Sequence, residues 1–439
     1  MKIDWSSLWK KEDWWAVWLG LGIVLVALVT FYMGGSIKTL AVKPPRWEGF
    51  EAVFQGFAQQ WYQYLILLII WLVIFTISTR IMGFKIKQYI PGFVVLYIIS
   101  TLILIGTSWK YASQYSLSAP LVALLLGLIV GNLVKMPKWF DSSFRTEYYI
   151  KTGIVLLGAT LPFTLIIRAG PIALAQATIV SVSTFLVIYF AATRLFKLDN
   201  RFGACLGAGG SVCGVSATIA VGGAVRAEKE HISIGISIVA LWALVMIFIL
   251  PFASRALGLA PGVAGAWIGT SEFADAAGFA AAAAIGDEAA IHTFTLMKVI
   301  GRDIWIGVWA FILSIISVVF WERRSGTERA SAWIVWWRFP KFVLGFLIAS
   351  AVMSIVVANF SPEAYGEILK PQLITPIKTL RTWTFIFTFL SIGFTTRFKE
   401  LGKFGWAPIL AFTAGVLVNV PLGYFLSTQV FGNYWGAVR

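Results

Sequence analysis

Charge is scarce in this sequence. Asp, Glu, Lys and Arg make up 13% of its 439 residues, and 59% of residues are hydrophobic. A soluble domain carries about 25% charged residues. No polar stretch is long enough to form a soluble catalytic domain. Cysteine is nearly absent, and Cys205 and Cys213 both fall in one apolar stretch, which excludes a disulfide framework. The two histidines, His231 and His292, are too far apart for zinc spacing, so no metal site is expected. No nucleophile stands beside a base, so the chain does not read as an enzyme. The glycines follow no strand and precede no ribose-binding acid, which excludes a dinucleotide fingerprint and leaves no expected cofactor.

Acidic residues are fewer than basic ones, 20 against 35, giving a net charge of +15. Most of the cations sit in short loops, where they orient membrane spans, so no nucleic-acid partner is expected. No secretory leader is expected either. The apolar run at 14–33 is too long for one and lacks an Ala-x-Ala exit, so it reads as the first span.

What the chain does have is length in apolar runs, with mean hydropathy +0.83 and 21 Trp. It reads as an all-α polytopic membrane protein in a lipid bilayer. Three generic spans at 14–33, 61–82 and 90–109 form an N-terminal accessory region, residues 1–118, assigned to scaffold or oligomer contacts. A short interfacial helix is expected within 35–60. The core, 119–439, holds spans at 121–133, 148–167, 171–196, 232–257, 289–321, 339–357, 380–395 and 406–431. The total is about eleven spans, plus two glycine-rich elements at 202–226 and 262–285.

These two elements organise the reading. Gly209, Gly210, Ser211, Cys213 and Gly214 crowd the middle of the first. Each interior Gly costs a helix roughly 1 kcal/mol against Ala. In lipid, irregular backbone survives only buried in protein or lining a watery cavity. The segment therefore reads as two half-helices meeting at an unwound tip, the usual place of a transporter's binding site. The second element repeats it: Gly209, Ser211, Ala217, Ala220 and Glu228 match Gly269, Ser271, Ala277, Ala280 and Glu288 without a gap. Chance is the competing explanation, since small residues are common in membrane helices. The copies differ where Glu272 and Asp275 replace Val212 and Val215.

A second echo pairs Gly158, Thr160, Phe163, Arg168 and Gly170 with Gly393, Thr395, Phe398, Lys403 and Gly405. If each glycine-rich element crossed the membrane, the two echoes would demand opposite symmetries. If each is a re-entrant hairpin, both echoes become inversions, as transporter repeats often are. The positive-inside rule agrees: with the N-terminus inside, Arg80, Lys85, Lys87, Lys135, Lys138, Arg145, Arg194, Lys197, Arg201, Arg226, Lys229, Arg323, Arg324, Arg329, Arg397, Lys399 and Lys403 fall on one side. The loops at 35–60 and 359–381 are mixed.

Glycine-rich tips expose backbone N–H groups, and helix N-termini add partial positive charge, which together suit an anion. The expected substrate set is Gly209, Gly210, Ser211, Cys213, Gly214, Gly269, Thr270 and Ser271, with Lys298 and Arg302 as neutralising cations. Ser216 and Thr218 read as packing residues. Ionisable residues inside a membrane are functional candidates by default. Glu272, Asp275 and Asp303 are the ion-coupling candidates, for sodium or a proton, with Glu272 and Asp275 expected on one helical face. Mutual neutralisation that only fixes the hairpin is the competing reading. His292, near a helix start, reads as interfacial.

The run Gly209-Gly-Ser-Val-Cys-Gly-Val-Ser-Ala, the segment Thr152-Gly-Ile-Val-Leu-Leu-Gly, the stretch Arg226-Ala-Glu-Lys-Glu, and Lys298 with a following Arg together resemble the YeiH-like sulfate exporter family. The resemblance covers about residues 119–431. It implies an inverted-repeat secondary transporter in the bacterial cell (inner) membrane, related in broad architecture to sodium/proton antiporter and bile-acid symporter folds. Two departures stand out. Family members usually carry a His where this chain has Ser271-Glu272, and their Lys and Arg are usually one residue closer than Lys298 and Arg302. The expected function is ion-coupled transport of a small anion, sulfate or a sulfonate, by alternating access. The alternatives are a cation/proton antiporter using Glu272 and Asp275, and a non-transporting receptor or assembly subunit. Whether the chain forms a homo-oligomer stays open.

Overall fold

The computed structural model describes residues 6–112, 119–161, 163–321, 340–396 and 405–438. Among them the protein is all-helical, with a single isolated bridge between Trp47 and Trp109 in place of any strand. Among the described residues eight helices are long and apolar enough to cross a membrane, which makes this a multi-pass membrane protein. The expected eleven includes three helices outside that set. Ala119–Leu133 and Thr146–Gly158 have 15 and 13 residues, fewer than the about 20 of a typical crossing. Thr375–Thr395 carries Lys378 and Arg381 in its first two turns.

Contacts divide the chain into two compact units. The first comprises Met1–Leu165 with Lys341–Arg397, and the second Ile166–Pro340 with Phe398–Arg439. Residues 119–165 thus group with the N-terminal helices.

In the first unit the chain forms α1 (Glu12–Tyr32), α2 (Phe50–Ile81), α3 (Ile86–Thr107), α4 (Ala119–Leu133) and α5 (Thr146–Gly158), and later α14 (Lys341–Ala358) and α15 (Thr375–Thr395). The expected short interfacial helix does not stand alone. Residues from Phe50 onward continue into the second span as one helix of 32 residues. At ~48 Å that helix outreaches a hydrocarbon core of about 30 Å. Glycines permit close helix packing in this unit: a Cβ on Gly127 of α4 would lie 2.9 Å from Gly393 Cα of α15. Aromatic rings fill the rest, with Tyr97 stacked on Trp383 at 4.8 Å and the Tyr89 and Tyr149 hydroxyls 2.9 Å apart. Lys151 Nζ bridges Asp13 at 2.7 Å and Glu147 at 3.1 Å, so this half-buried cation is compensated.

The spans expected at 148–167 and 171–196 are redrawn. The break falls at 159–161, and α6 (Phe163–Phe190) runs through Pro171 into a widened turn at Ala191–Leu195. The residue before a proline is disfavoured in helix, and 159–161 immediately precede Pro162. Pro171 lacks only a donor, which transmembrane helices tolerate. Pro162 itself lies outside the described residues, as do Arg323, Arg324, Arg329, Arg397, Phe398, Lys399 and Lys403 from the charge pattern and second echo.

The second unit contains α7 (Asn200–Ser211), α8 (Val215–Ala224), α9 (Lys229–Ala256), α10 (Pro261–Ser271), α11 (Asp275–Ile285), α12 (Glu288–Thr295), α13 (Trp305–Ile316) and α16 (Trp406–Phe425). Both glycine-rich elements are broken where expected, at 212–214 and 272–274. Small residues fix how the arms run. Gly222 of α8 faces Cys205 of α7, and Gly209 faces Thr218, so α8 returns along α7. Leu206 and Gly209 face Gly235 and Val239, so α7 and α9 run in the same direction. Likewise Gly265 and Gly269 of α10 meet Ala290 and Met297, so α10 runs alongside α12, and α11 must bring the chain back before α12 begins. Gly286 makes that return with φ +91°. Each element is therefore a hairpin. Arms of 12 and 11 residues reach ~16–18 Å, about half a bilayer core.

Candidate functional site

The breaks create the chemistry. An α-helix leaves its last carbonyls without partners, and its C-terminus carries partial negative charge. α7 ends at Ser211 and α10 at Ser271, both fully buried, so lipid or water cannot serve those carbonyls. Two cations from the helix following α12 serve them instead. Arg302 Nε donates to Ser211 O at 3.1 Å and Nη2 to Gly210 O at 3.3 Å. Its Nη1 donates to Gly269 O at 3.3 Å and to Thr270 O and Glu272 O, both at 2.8 Å. Lys298 Nζ donates to Val212 O at 2.9 Å and Glu272 O at 2.7 Å. The guanidinium's fixed fork lets one side chain serve both hairpins.

The backbone carrying these residues is itself unusual. Leu296–Arg302 is a π-helical segment, closed by Asp303 N on Lys298 O at 3.0 Å. Such widened turns concentrate at functional sites. The tips also touch each other. Gly214 has φ +78°, and a Cβ there would stand 2.6 Å from Phe273 O and 2.6 Å from Val239 Cγ1. Glycine is required on both counts.

The structure gathers every expected site residue at these two tips or on the segment that caps them. Their roles shift. Lys298 and Arg302 have no exposed surface, and their donors are committed to backbone carbonyls, so they hold the hairpins together before any ligand is considered. The second tip does not offer its amides freely. Glu272 Oε1 accepts from Phe273 N at 2.9 Å and Ala274 N at 3.2 Å. Glu272 and Asp275 do not share a helical face, because the break separates them: Glu272 closes α10 and Asp275 opens α11. Asp275 Oδ1 lies 3.8 Å from Lys298 Nζ. Cys213 Sγ and one oxygen each of Asp275 and Asp303 lie within 4.8 Å of one another. The hydroxyls of Ser211 and Thr270 turn back onto their own helices, onto Ala208 O and Trp267 O.

The first tip is partly open, as the second is at Ala274 and Asp275. Val215 and Ser216, at the N-terminus of α8, are partly exposed, and that helix has no side-chain cap. Thr218 bonds Gly214 O at 2.9 Å, as a packing residue would. Ser216 was read with it but stands at the helix mouth, where first-turn N–H groups point outward. Its signal in the sequence was position: two residues after the glycine that breaks the helix.

Sequence reading also passed over Arg381, which is buried in α15 of the first unit with Nη1 on Thr160 Oγ1 at 3.3 Å, beside the break at 159–161. Two grooves in that unit, of about 340 and 500 Å³, are lined by apolar and aromatic side chains with no formal charge among them, so neither suits an ionic ligand. His292 Nε2 sits 3.8 Å from Glu288, near the start of α12 and away from the tips.

A family profile described as "Conserved hypothetical protein 698" matches residues 91–412 of the chain. The chain is similar to a UPF0324 membrane protein of Rhodopirellula baltica, at 31% identity over 90% of this chain and 72% of the relative. It is similar to one of Nitrosomonas europaea, at 32% identity over 95% of each. A UPF0324 membrane protein of Nitratidesulfovibrio vulgaris is 30% identical over 81% of this chain, which spans 62% of that relative's length. No solved structure matches the chain.

Proposed function

We propose that this chain, which belongs to the Conserved hypothetical protein 698 family, is a secondary active transporter of a small anion, without enzymatic activity, in the bacterial cell (inner) membrane. The observation that carries the reading is the meeting of two broken hairpins, tip against tip, held by Lys298 and Arg302. A protein does not bury two cations and six opened carbonyls merely to stay folded when an unbroken helix satisfies the same backbone groups by itself. Broken helices at half-membrane depth are the recurrent device for presenting helix ends to a transported ion.

In this reading the anion, sulfate or a sulfonate, meets the N-terminus of α8 at Val215 and Ser216, where amides and a hydroxyl converge. Lys298 and Arg302 act as positioning residues and lend positive potential from behind the tips. The two hairpins are the inverted halves of one repeat, and about eleven spans with two re-entrant hairpins remain the proposed topology. Alternating access then exposes the tips to one side of the membrane at a time.

The test is flux of labelled sulfate and taurine in proteoliposomes, with wild type beside Arg302→Ala and Ser216→Ala. Flux in wild type that both variants lose or weaken is the expected result. No anion flux under any ion gradient would end the reading.

One observation favours a cation antiporter as the second reading. Glu272, Asp275 and Asp303 give three carboxylates against two cations around the tips. That reading requires sodium- or proton-driven flux with no anion present, and its loss in Asp275→Asn.

A further inference from the structure

We infer that Glu272 carries a proton: it is a neutral carboxylic acid while the two tips are closed on Lys298 and Arg302, and a carboxylate once the second tip opens to water. The inference deepens the transporter reading and rests on it only where proton and anion are linked.

Glu272 has no exposed surface. Its Oε1 accepts from two backbone amides, but Oε2, equally buried, meets no hydrogen-bond donor. Neither cation forms an ion pair with its carboxylate. Both end on its main-chain oxygen, Lys298 Nζ at 2.7 Å and Arg302 Nη1 at 2.8 Å. The charged and titratable groups facing this tip are Cys213 from the first break, Asp275 from α11, and Lys298, Arg302 and Asp303 from the π-helical segment and its end. Lys298 stands 3.8 Å from Asp275, and Asp303 follows Arg302 directly in the chain.

Counted together, three carboxylates oppose two cations. One more positive charge closes the count. An isolated carboxylate in an apolar interior costs far more than a neutral acid, so such a group takes up a proton instead. Glu272 has a donor-free oxygen and no ion pair, whereas Asp275 stands 3.8 Å from Lys298.

The consequence is a proton–anion linkage at the second tip. An ionised Glu272 grips the Phe273 and Ala274 amides with a full charge, and a protonated one holds them roughly half as strongly. Protonation therefore loosens two donors that an incoming anion can use. Anion affinity would rise by up to about tenfold per pH unit of acidification above the point where Glu272 titrates. When the tip opens, the proton passes to water and the carboxylate reclaims the amides.

The experiment uses the full-length chain purified in lipid nanodiscs, without substrate. Melting temperature is recorded from acid to alkaline pH for wild type and Glu272→Gln, and infrared spectra are taken for the protonated-carboxyl stretch. The folded protein holds a proton that the unfolded chain has already shed, so wild type should lose stability relative to Glu272→Gln as pH rises. At acid pH the two should converge. The wild-type band at neutral pH should vanish in Glu272→Gln and persist in Asp275→Asn. No such band in wild type, or a band that survives Glu272→Gln, overturns the inference, and the wild-type spectrum decides even if a variant fails to fold. Sulfate is then added as the probe. A pH-dependent melting shift in wild type that becomes pH-independent in Glu272→Gln is expected. No sulfate effect at any pH, with the carboxyl result intact, would remove the anion link and leave the proton site standing.

Discussion

Lys298 and Arg302 share one acceptor: both donate to the carbonyl oxygen of Glu272, at 2.7 and 2.8 Å. Each also reaches the first hairpin, Lys298 at Val212 and Arg302 at Ser211. The pair is thus a double clamp across two helix ends, and the predictions begin with it.

Arg302→Gln removes a guanidinium that serves five carbonyls. Hydrogen bonds to charged groups are worth about 1.5–3 kcal/mol each, so losing even two destabilises the protein by at least about 3 kcal/mol. Thermal unfolding in detergent should show a clear fall in midpoint. Arg302→Lys should recover only part of it, because a point charge cannot span both hairpins.

Gly214→Ala is a direct test of the tip-to-tip contact. The new methyl would clash with Phe273 O and Val239, and the backbone has positive φ. Overpacking of this kind costs about 1–3 kcal/mol. A variant that melts with wild type would show that the tips do not meet as described.

Ser216→Ala separates binding from stability. Its side chain sits partly exposed at the mouth of α8, so the melting temperature should move by no more than about 0.5 kcal/mol equivalent. Sulfate or sulfonate binding, read as a ligand-induced melting shift, should weaken by about tenfold, or 1.4 kcal/mol. A large stability loss would instead return Ser216 to the packing role assigned from sequence.

Gly393→Leu probes the first unit alone. The glycine lies against Gly127, with 2.7 Å to Gly127 Cα from an added Cβ, and a larger side chain must push α4 from α15. Loss of folded yield is expected, read by size-exclusion profile. Gly366→Leu, where an added Cβ meets nothing within 4 Å, is the control that should express normally.

The places where helices stop were legible only where the sequence left a local reason. Gly209–Gly214 and Gly269–Asp275 announced their breaks because clustered glycine and an opening helix end leave their mark in the sequence. Pro162 and Pro171 were harder to rank. Both are helix-disfavouring, yet only the first follows a break, since a membrane helix can absorb one missing donor. The short interfacial helix expected within 35–60 does not separate from the second span, because the backbone continues as one helix from Phe50 to Ile81.

The sequence alone determined that this chain lives in a bilayer, that its backbone opens twice within apolar stretches, and that a few ionisable residues lie near those openings. These follow from composition, helix propensity and the cost of charge in hydrocarbon, which are local quantities. Tertiary structure decided what those residues do. Lys298 and Arg302 donate to backbone carbonyls, Glu272 turns onto the amides beside it, and Ser216 stands at a helix N-terminus. Such roles depend on which helix ends are brought together and which way they point, and that is fixed by packing between segments far apart in the chain.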